Sequence, residues 1–412
     1  MAGADRLGAP ASRYGVLLAQ GTFYNTGQQL SNVSAVLPFI LSQWGTVWAA
    51  ALLYPAFSIG TVVGNAMSPL IVERSRQLKH LVVVATSATM ATLVICTAIV
   101  ARTGVAIAIV FLAASWAFGA ATGIATVAFV DLVSDKLPEA RRGGLFLSQG
   151  ATGAVVAIIS TLLIAPLLAK RDPVDGHVDV LWLGAAGFSA AAIAAVFIGP
   201  VRSESTKVTS RRLHDIYREG MAAARSEMWY HRFVVIQLLF VPVSLGTTFF
   251  SLHAAEHHGG RAGSLHVLVI FSSVGLVFGA KLWRIVYSTW GVRGMLVISA
   301  LLSCMAAVLC ILAHAYHDWS KVWVHGIVFL LTTVANEAIL AAEISWISVF
   351  AAERQRATLI AFVGILIAVE SSLLGAVLGG IAEQTAVIWP VTIVLAFNLI
   401  AAVAATRAPA RE

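Results

Sequence analysis

The stretch from Pro200 to Arg232 reads PVRSESTKVTSRRLHDIYREGMAAARSEMWYHR and separates the chain into two apolar halves. It lies near the midpoint of the 412 residues. It holds eleven of the 47 charged residues, which are 27 Lys and Arg and 20 Asp and Glu. We interpret the stretch as a hydrophilic linker. Its second part, Leu213–Met228, mixes polar and apolar residues, which is typical of an amphipathic helix on a membrane surface or of a solvated linker helix.

The composition on both sides of the linker is that of a protein embedded in lipid. Hydrophobic residues make up 59% of the chain, charged residues make up 11%, and the mean hydropathy is +0.86. A soluble globular protein has about 25% charged residues. In lipid every backbone polar group needs an internal partner, and long apolar runs without alternation favour helices over a barrel. The sequence therefore predicts an all-α integral membrane protein.

The apolar runs predict twelve membrane spans. They lie at roughly 14–37, 46–71, 81–101, 104–133, 144–169, 179–199, 232–253, 264–286, 293–315, 322–350, 357–381 and 384–405. An even number of spans puts both termini and the linker on one side. Only five Lys and Arg fall on the other side: Arg102, Lys170, Arg171, Arg261 and Lys321. The positive-inside rule therefore predicts that both termini are cytoplasmic and that the protein lies in an inner or plasma membrane. Topology and contact with anionic lipid explain the net charge of +7. We therefore predict no nucleic-acid partner.

The two halves repeat one charge pattern. Asp131 ends the fourth span and is followed by Arg141 and Arg142, and Glu343 ends the tenth span half a chain length later and is followed by Arg354 and Arg356. Such an internal repeat is typical of secondary transporters. We predict two six-helix pseudo-repeats, residues 1–199 and 232–412, joined by a cytoplasmic linker at 200–231.

Two predicted cytoplasmic loops resemble the signature loops of the major facilitator superfamily. That family carries Gly-x-Leu-x-Asp-Arg-x-Gly-Arg-Arg after span two and a weaker copy after span eight. The matching residues are Leu70, Glu73 and Arg74 in the first copy and Gly279, Arg284, Gly291 and Arg293 in the second. The resemblance implies a conformational charge cluster of Glu73, Arg74, Asp131, Arg284 and Glu343. Span four lacks the basic residue of many antiporters in the family, and span five lacks the Gly-Pro pair of many drug exporters.

Span one carries a polar face that is unusual for a membrane helix. Asn25, Gln28, Gln29 and Asn32 recur at i, i+3, i+4 and i+7, so they share one side of a helix. Unpaired amides facing lipid cost several kcal/mol, so this face must contact protein or a wet cavity. The alternative to cavity lining is hydrogen bonding between helices. The predicted substrate-binding residues are Tyr24, Asn25, Gln28, Gln29, Asn32, Trp116, Asn336 and Glu337.

Two carboxyl groups lie near the middle of apolar spans. Glu337 is in span ten and Glu370 is in span eleven. Charged groups are rare at this depth unless they are used, and burial disfavours their charged form, so such a group can exchange protons near neutral pH. We predict proton coupling by these two residues, with Glu337 favoured because span ten lines the cavity in the family. The alternatives are contact with a cationic substrate, and a protonated packing residue.

The segment His253-Ala-Ala-Glu256-His257 matches the H-x-x-E-H pattern of some zinc proteases. No soluble catalytic domain surrounds it, so we predict no enzyme activity. Two imidazoles one helical turn apart suit a metal ion or an external pH sensor, but a hydrated loop is the simpler interpretation. The sequence also lacks a G-x-x-x-x-G-K-[ST] nucleotide loop. We therefore predict no metal, no cofactor and no ATP-driven transport.

These observations predict a monomeric transporter that moves a small organic molecule by alternating access. The expected mode is proton-coupled efflux by an antiporter. Two alternatives stay open: a proton-linked importer of a polar nutrient, and a membrane scaffold or receptor that transports nothing.

Overall fold

The computed structural model describes residues 9–75, 78–104, 106–168, 173–200, 213–261, 263–351 and 353–409. All regular elements in these ranges are helices. The α-helices are α1 (Ala9–Leu30), α2 (Val36–Ser42), α3 (Val47–Ala51), α4 (Leu53–Arg74), α5 (Lys79–Thr103), α6 (Ile107–Lys136), α7 (Glu139–Leu168), α8 (Pro173–Val196), α9 (Leu213–Ser226), α10 (Met228–His258), α11 (Ser264–Ala315), α12 (Val322–Phe350), α13 (Glu353–Gln384) and α14 (Ile388–Ala405). The predicted all-α fold is confirmed.

The helix lengths and compositions fit a membrane protein with about twelve crossings. Ten helical segments in the described ranges are long and apolar enough to span a bilayer. One of them, α11, has 52 residues. At about 1.5 Å per residue it is more than twice the thickness of the hydrocarbon core, so it supplies two crossings. The ten segments therefore supply eleven crossings. Helix α1, which carries the polar face and is not among the ten, supplies the twelfth.

The sequence predicts a loop between span eight and span nine, but the structure joins these spans without one. Helical structure continues through both spans, and the chain turns at Gly291, whose φ is 63° and ψ is −156°. A positive φ of this kind is accessible to glycine and strained for other residues. The turn therefore depends on this one residue, and no unwound loop separates the spans.

Span one is broken rather than continuous, which corrects the predicted single run over 14–37. Helix α1 ends at Leu30, and α2 begins at Val36. Between them the Asn32 side-chain oxygen accepts hydrogen bonds from the backbone N–H groups of Ser34 (2.8 Å) and Ala35 (3.0 Å). A side-chain amide that satisfies local backbone donors competes with helical hydrogen bonding and favours a turn.

Helices α4 and α6 pack backbone to backbone through paired glycines. Gly119 of α6 lies against the Phe57 carbonyl of α4, and Gly64 of α4 lies against the Ala120 carbonyl of α6. Both glycines belong to G-x-x-x-G motifs, 60–64 and 119–123. Small residues let membrane helices approach this closely. The glycines of these two motifs thus allow the backbones of α4 and α6 to approach closely.

The first eight helices meet the last five at one end of the bundle. Ser251 donates a hydrogen bond to the Ala35 carbonyl (2.5 Å), and a His177 ring nitrogen lies 3.0 Å from the Gly259 carbonyl. Helix α13 also packs on α3 and α4 through Gly375 and Gly379. We call this group of contacts the seal. Its residues lie at the helix ends for which the sequence predicts an outer location.

The linker contains the predicted helix. Helix α9 covers Leu213–Ser226, and Met221, Ala223 and Ala224 pack against the buried cluster formed by α10–α14. Residues 201–212 lie outside the described part of the chain. The apolar side of α9 thus contacts protein, because α13 and α10 offer an apolar surface beside it.

The interpretation of His253 and His257 as part of a hydrated loop is wrong. Both residues lie in the last turns of α10, and His253 is fully buried. The apolar run of span seven ends earlier in the sequence than the helix does. Because α12 places His325 against His253, this helix end is covered by protein.

Candidate functional site: a polar cavity at the centre of the bundle

A cavity of about 470 Å³ lies among α1, α4, α10, α12 and α13. Its wall combines apolar side chains with amides, hydroxyls and one carboxyl group. The polar members are Gln28, Asn32, Ser34, Tyr54, Gln237, Ser244, Asn336 and Glu343. The volume is within the range of about 300 to 1,000 Å³ that is typical of small-molecule sites.

Two residues of the α1 polar face reach this cavity. Gln28 lines it and donates a hydrogen bond to the Tyr24 hydroxyl (3.1 Å), and Asn32 lines it where α1 ends. The local bonds of Asn32 hold the turn between α1 and α2. Asn32 therefore combines a turn-forming role with a position in the cavity wall.

The upstream part of the same face borders a second, smaller cavity. This space of about 170 Å³ lies among α1, α5, α6 and α7, and Tyr24 and Asn25 line it together with Gln149. The Asn25 amide donates a hydrogen bond to the Gly21 carbonyl one turn earlier (2.8 Å), and the Gln149 amide donates to the Leu17 carbonyl (2.7 Å). Asn25 of the polar face thus bonds within its own helix, whereas the bond between helices comes from Gln149 of α7, outside that face.

Asn336 is held in place and still offers an acceptor. Its amide N–H donates to the Thr247 hydroxyl of α10 (3.0 Å), which fixes the side chain between two helices. Its carbonyl oxygen is buried and has no hydrogen-bond partner among the described residues. An unsatisfied buried acceptor costs about 1 to 3 kcal/mol, and a bound donor would remove that cost.

The acid that faces the cavity is Glu343. The sequence places Glu343 in the conformational charge cluster, but it lines the cavity and forms no ion pair with any described residue. Tyr54 and Gln237 line the same wall. The correction has a geometric cause: α12 extends to Phe350, so Glu343 lies two turns inside the helix rather than at its end.

Glu337 lies on a different side of α12. It does not line the central cavity. Its Oε2 atom is buried without a described partner, and a Cβ atom added to Gly279 of α11 would lie 2.5 Å from it. Because Glu337 and Asn336 are adjacent in a helix, they point about 100° apart, so both cannot face one cavity directly. Glu337 is thus packed between α12 and α11.

Three further residues with predicted roles lie away from the central cavity. Trp116 is 44% exposed and lines a groove among α4, α5 and α6. Glu370 has a buried Oε2 atom without a described partner, and it lies one turn after the cavity residue Ile367. Gln29 lines neither the central cavity nor the smaller one.

The charge cluster at the opposite end from the seal is built on Lys79. Its ammonium group lies 2.6 Å from an Asp131 oxygen and 2.7 Å from an Asp135 oxygen, and its side chain is only 7% exposed. Arg74 and Arg284, which the family resemblance favoured, are exposed. Lys79 is the first residue of α5, which runs beside the last turns of α6. Lys79, rather than Arg74 or Arg284, therefore pairs with Asp131. The Glu73 side chain lies outside the described residues.

Sequence reasoning missed four polar residues of the cavity wall: Ser34, Tyr54, Gln237 and Ser244. Gln237 and Ser244 lie on α10, two turns apart, so they share one helix face. Gln237 is a lone amide in an apolar span and is 4% exposed. The argument that singled out the amides of span one applies to it equally and would have found it.

Comparison with known proteins places the chain among relatives of unassigned function. No family model matches the chain. The chain is 52% identical over 407 residues to Uncharacterized protein Rv2209 of Mycobacterium tuberculosis, and the match covers 98% of this chain and 79% of that protein. The chain belongs to the same family as that mycobacterial protein.

Solved structures identify the fold. A mutant of the nucleoside transporter NupG has a TM-score of 0.73 at 13% identity, over 95% of this chain and 98% of that one. A POT family transporter in complex with 5-aminolevulinic acid has a TM-score of 0.66 at 11% identity, over 94% of both chains. This chain has the major facilitator fold. In this chain, the pairs α4 with α13 and α7 with α11 are among those that join the first group of helices to the last group.

Proposed function

We propose that the protein is a secondary transporter whose cargo is a small polar organic molecule, bound in the central cavity. The observation that carries the proposal is the cavity itself. It lies between the first and last groups of helices, offers amide and hydroxyl groups from four helices, and is closed at one end by the seal. Alternating access needs a site of this kind, reached from one side at a time.

The wall chemistry indicates the class of cargo. Four amides supply both donors and acceptors, and among the described lining residues Glu343 alone carries an ionisable carboxyl or amine. Such a wall suits a neutral or cationic molecule with several hydroxyl, amide or amine groups. Phe57 and Phe240 also line the cavity and offer aromatic surface for a ring. The names of two structural neighbours, a nucleoside transporter and a transporter bound to 5-aminolevulinic acid, support this size and polarity.

We propose proton coupling through a carboxyl group of α12. A carboxyl that is shielded in one conformation and hydrated in the other gains and loses a proton as the protein cycles. Glu343 is the leading candidate because it faces the cavity, and Glu337 and Glu370 are the comparison residues. Proton-driven efflux is the proposed direction, and proton-linked import of a polar nutrient is the alternative.

We also propose an architecture and a topology for this transport cycle. Residues 1–199 and 232–412 would rock as two six-helix units about the cavity, with 200–231 as the connecting linker. Both termini and the Lys79–Asp131 pair would lie in the cytoplasm. The structure would then be the state that is closed to the outside. Reporter fusions at the C-terminus and after Lys321 test the orientation.

The test begins with a thermal-shift panel of polar organic compounds on the purified protein, followed by flux assays of any hit in proteoliposomes. Glu343→Gln should abolish flux driven by a pH gradient while cargo counterflow continues, because the neutral amide mimics a fixed protonated state. Glu337→Gln and Glu370→Gln are matched controls with the same change elsewhere in the membrane. Wild-type gradient-driven flux in Glu343→Gln would overturn the coupling role of that residue.

Two outcomes would change the proposal more deeply. If Asn336→Ala and Gln237→Ala bind and move every hit as the wild type does, the cavity is not the cargo site. If no compound stabilises the wild-type protein and no flux is found under either gradient direction, the result favours a scaffold or receptor that transports nothing. The sign of the gradient that drives accumulation distinguishes export from import.

A further inference from the structure

Five histidines converge near the seal, where α10, α11 and α12 end or begin. His253, His257 and His258 come from the last turns of α10, His314 from the end of α11 and His325 from the start of α12. The rings of His253 and His257 are 4.4 Å apart, and that of His314 lies 5.8 Å and 5.9 Å from them. Five imidazoles in one place are not needed to fold a membrane helix end.

The hydrogen bonds determine which nitrogen atoms are available. The His257 Nδ1 atom lies 3.0 Å from the His253 carbonyl, which only accepts, so Nδ1 carries the hydrogen and Nε2 carries the lone pair. His325 Nδ1 lies 3.4 Å from the Lys321 carbonyl and 3.2 Å from His258 Nε2. His325 therefore donates from Nδ1, and its Nε2 atom accepts.

The same chain of bonds continues to His253. His253 Nδ1 lies 3.0 Å from His325 Nε2, so His253 donates there and its lone pair is on Nε2. That Nε2 atom is buried and has no partner among the described residues. The His253 Nε2 lone pair therefore has no donor beside it, and the buried Nδ1 atom of His258 in the same cluster also has no described partner.

We propose that His253, His257 and His314 bind a divalent d-block cation of the Zn²⁺ class. One ring nitrogen from each of these three residues lies within 4.8 Å of a ring nitrogen of each of the other two. A tetrahedral zinc site has nitrogen atoms about 3.4 Å apart, which small side-chain rotations supply. Neutral imidazoles without a carboxylate favour such ions over Mg²⁺ and Ca²⁺, which require oxygen ligands. His314 is exposed, so the ion enters from the surface, and water completes the coordination.

His325 and His258 then act as supporting residues. A metal-bound histidine usually donates its other ring N–H to a fixed acceptor, which orients the ring, and His325 Nε2 is that acceptor for His253. Cys310 offers a competing set, because its thiol lies within 4.8 Å of the ligand atoms of His253 and His325. We favour the three-histidine set over His253, Cys310 and His325, because both ring nitrogens of His325 already form hydrogen bonds.

The experiment measures Zn²⁺ binding to the full-length protein, purified without a polyhistidine tag and stripped with a chelator. Equilibrium dialysis with zinc chloride and elemental analysis should show saturable binding of one Zn²⁺ per chain. His257→Ala and His314→Ala should each weaken binding by at least tenfold, and His325→Leu by about 10- to 100-fold through loss of ring orientation. His266→Gln is the matched control, since His266 is a buried histidine of α11 outside the cluster and should leave binding unchanged.

Co²⁺ as a spectroscopic probe identifies the ligands. The proposed set predicts visible bands of a tetrahedral site without a sulfur charge-transfer band, and Cys310→Ser should leave the spectrum and the affinity unchanged. His314→Ala is the decisive variant because its ring is exposed and its loss should not impair folding. Zn²⁺ affinity that survives both His257→Ala and His314→Ala, or that disappears in Cys310→Ser, would overturn the assignment. Absence of saturable binding in folded wild-type protein would overturn the site itself.

Discussion

We predict that a single methyl group at Gly375 opens the seal, because Gly375 packs closely on the opposite side of the bundle. A Cβ atom at Gly375 would lie 2.7 Å from Pro55 Cγ and 3.2 Å from the Ala51 carbonyl oxygen, both on the opposite side of the bundle. The contact under 3.0 Å, to Pro55 of α4, requires a shift between α13 and α4, and the 3.2 Å contact to Ala51 of α3 requires a smaller adjustment. Overpacking by one methyl group costs about 1 to 3 kcal/mol, and the cost falls only on the closed state.

That cost translates into a population shift of about 5- to 150-fold towards the conformation open at the seal. Gly380→Ala is the matched control, because nothing lies within 4 Å of a Cβ atom at that position of the same helix. A cysteine at Ser244, which lines the cavity, serves as the reporter in a background where Cys96, Cys304 and Cys310 are replaced by serine.

The assay is the labelling rate of that cysteine by a membrane-impermeant maleimide applied from the seal side. Gly375→Ala should accelerate labelling within the stated range, and Gly380→Ala should match the parent protein. Equal rates in the two variants would refute the steric argument. Acceleration only from the opposite side would show that the seal does not close the cavity where the structure indicates.

Two further predictions concern stability, and each is measured as the midpoint of thermal unfolding in detergent. Gly119→Ala should lower the free energy of unfolding by about 1 to 3 kcal/mol, because the new methyl group meets the α4 backbone. Gly150→Ala, with open space around it, should leave stability unchanged or raise it by about 0.5 to 1 kcal/mol through helix propensity; a loss in both variants would contradict the α4–α6 contact. Lys79→Met should cost about 1 to 3 kcal/mol, because it leaves two facing carboxylates without their buried cation. Arg102→Met, which removes an exposed cation with two aspartate partners, should cost about 0 to 1 kcal/mol; equal losses would show that burial does not strengthen the Lys79 pairs.

Much of the membrane architecture could be read from composition and spacing. Lipid leaves the backbone few options, so a low charge fraction and apolar runs of the right length are enough to predict helices and their approximate number. The glycines of the motifs 60–64 and 119–123, whose spacing is visible in the sequence, lie where α4 and α6 approach each other. The spans were predicted less well where one residue changes the path, as Asn32 does by capping local N–H groups and Gly291 does by its positive φ.

The candidate site could be predicted only in part, because periodicity indicates which residues share a face and not what that face meets. Gln28 and Asn32 were found from their spacing, but Asn25 on the same face borders a different cavity. Glu337 and Glu343 are both acids of one apolar helix, and their relative rotation decides that Glu343 alone lines the cavity.

The sequence by itself determined that the protein lies in lipid and that its fold is all-α. It also identified the polar residues whose exposure to lipid would be so unfavourable that they must contact protein or a cavity. Those follow from the chemistry of single residues and of short windows. Only the tertiary structure decided which carboxyl faces the cavity and which cation pairs with Asp131. It also showed that histidines far apart in the chain lie close together. The reason is physical: helix–helix packing brings together residues that are distant in the chain, and no local pattern carries the rotation of one helix about its neighbour.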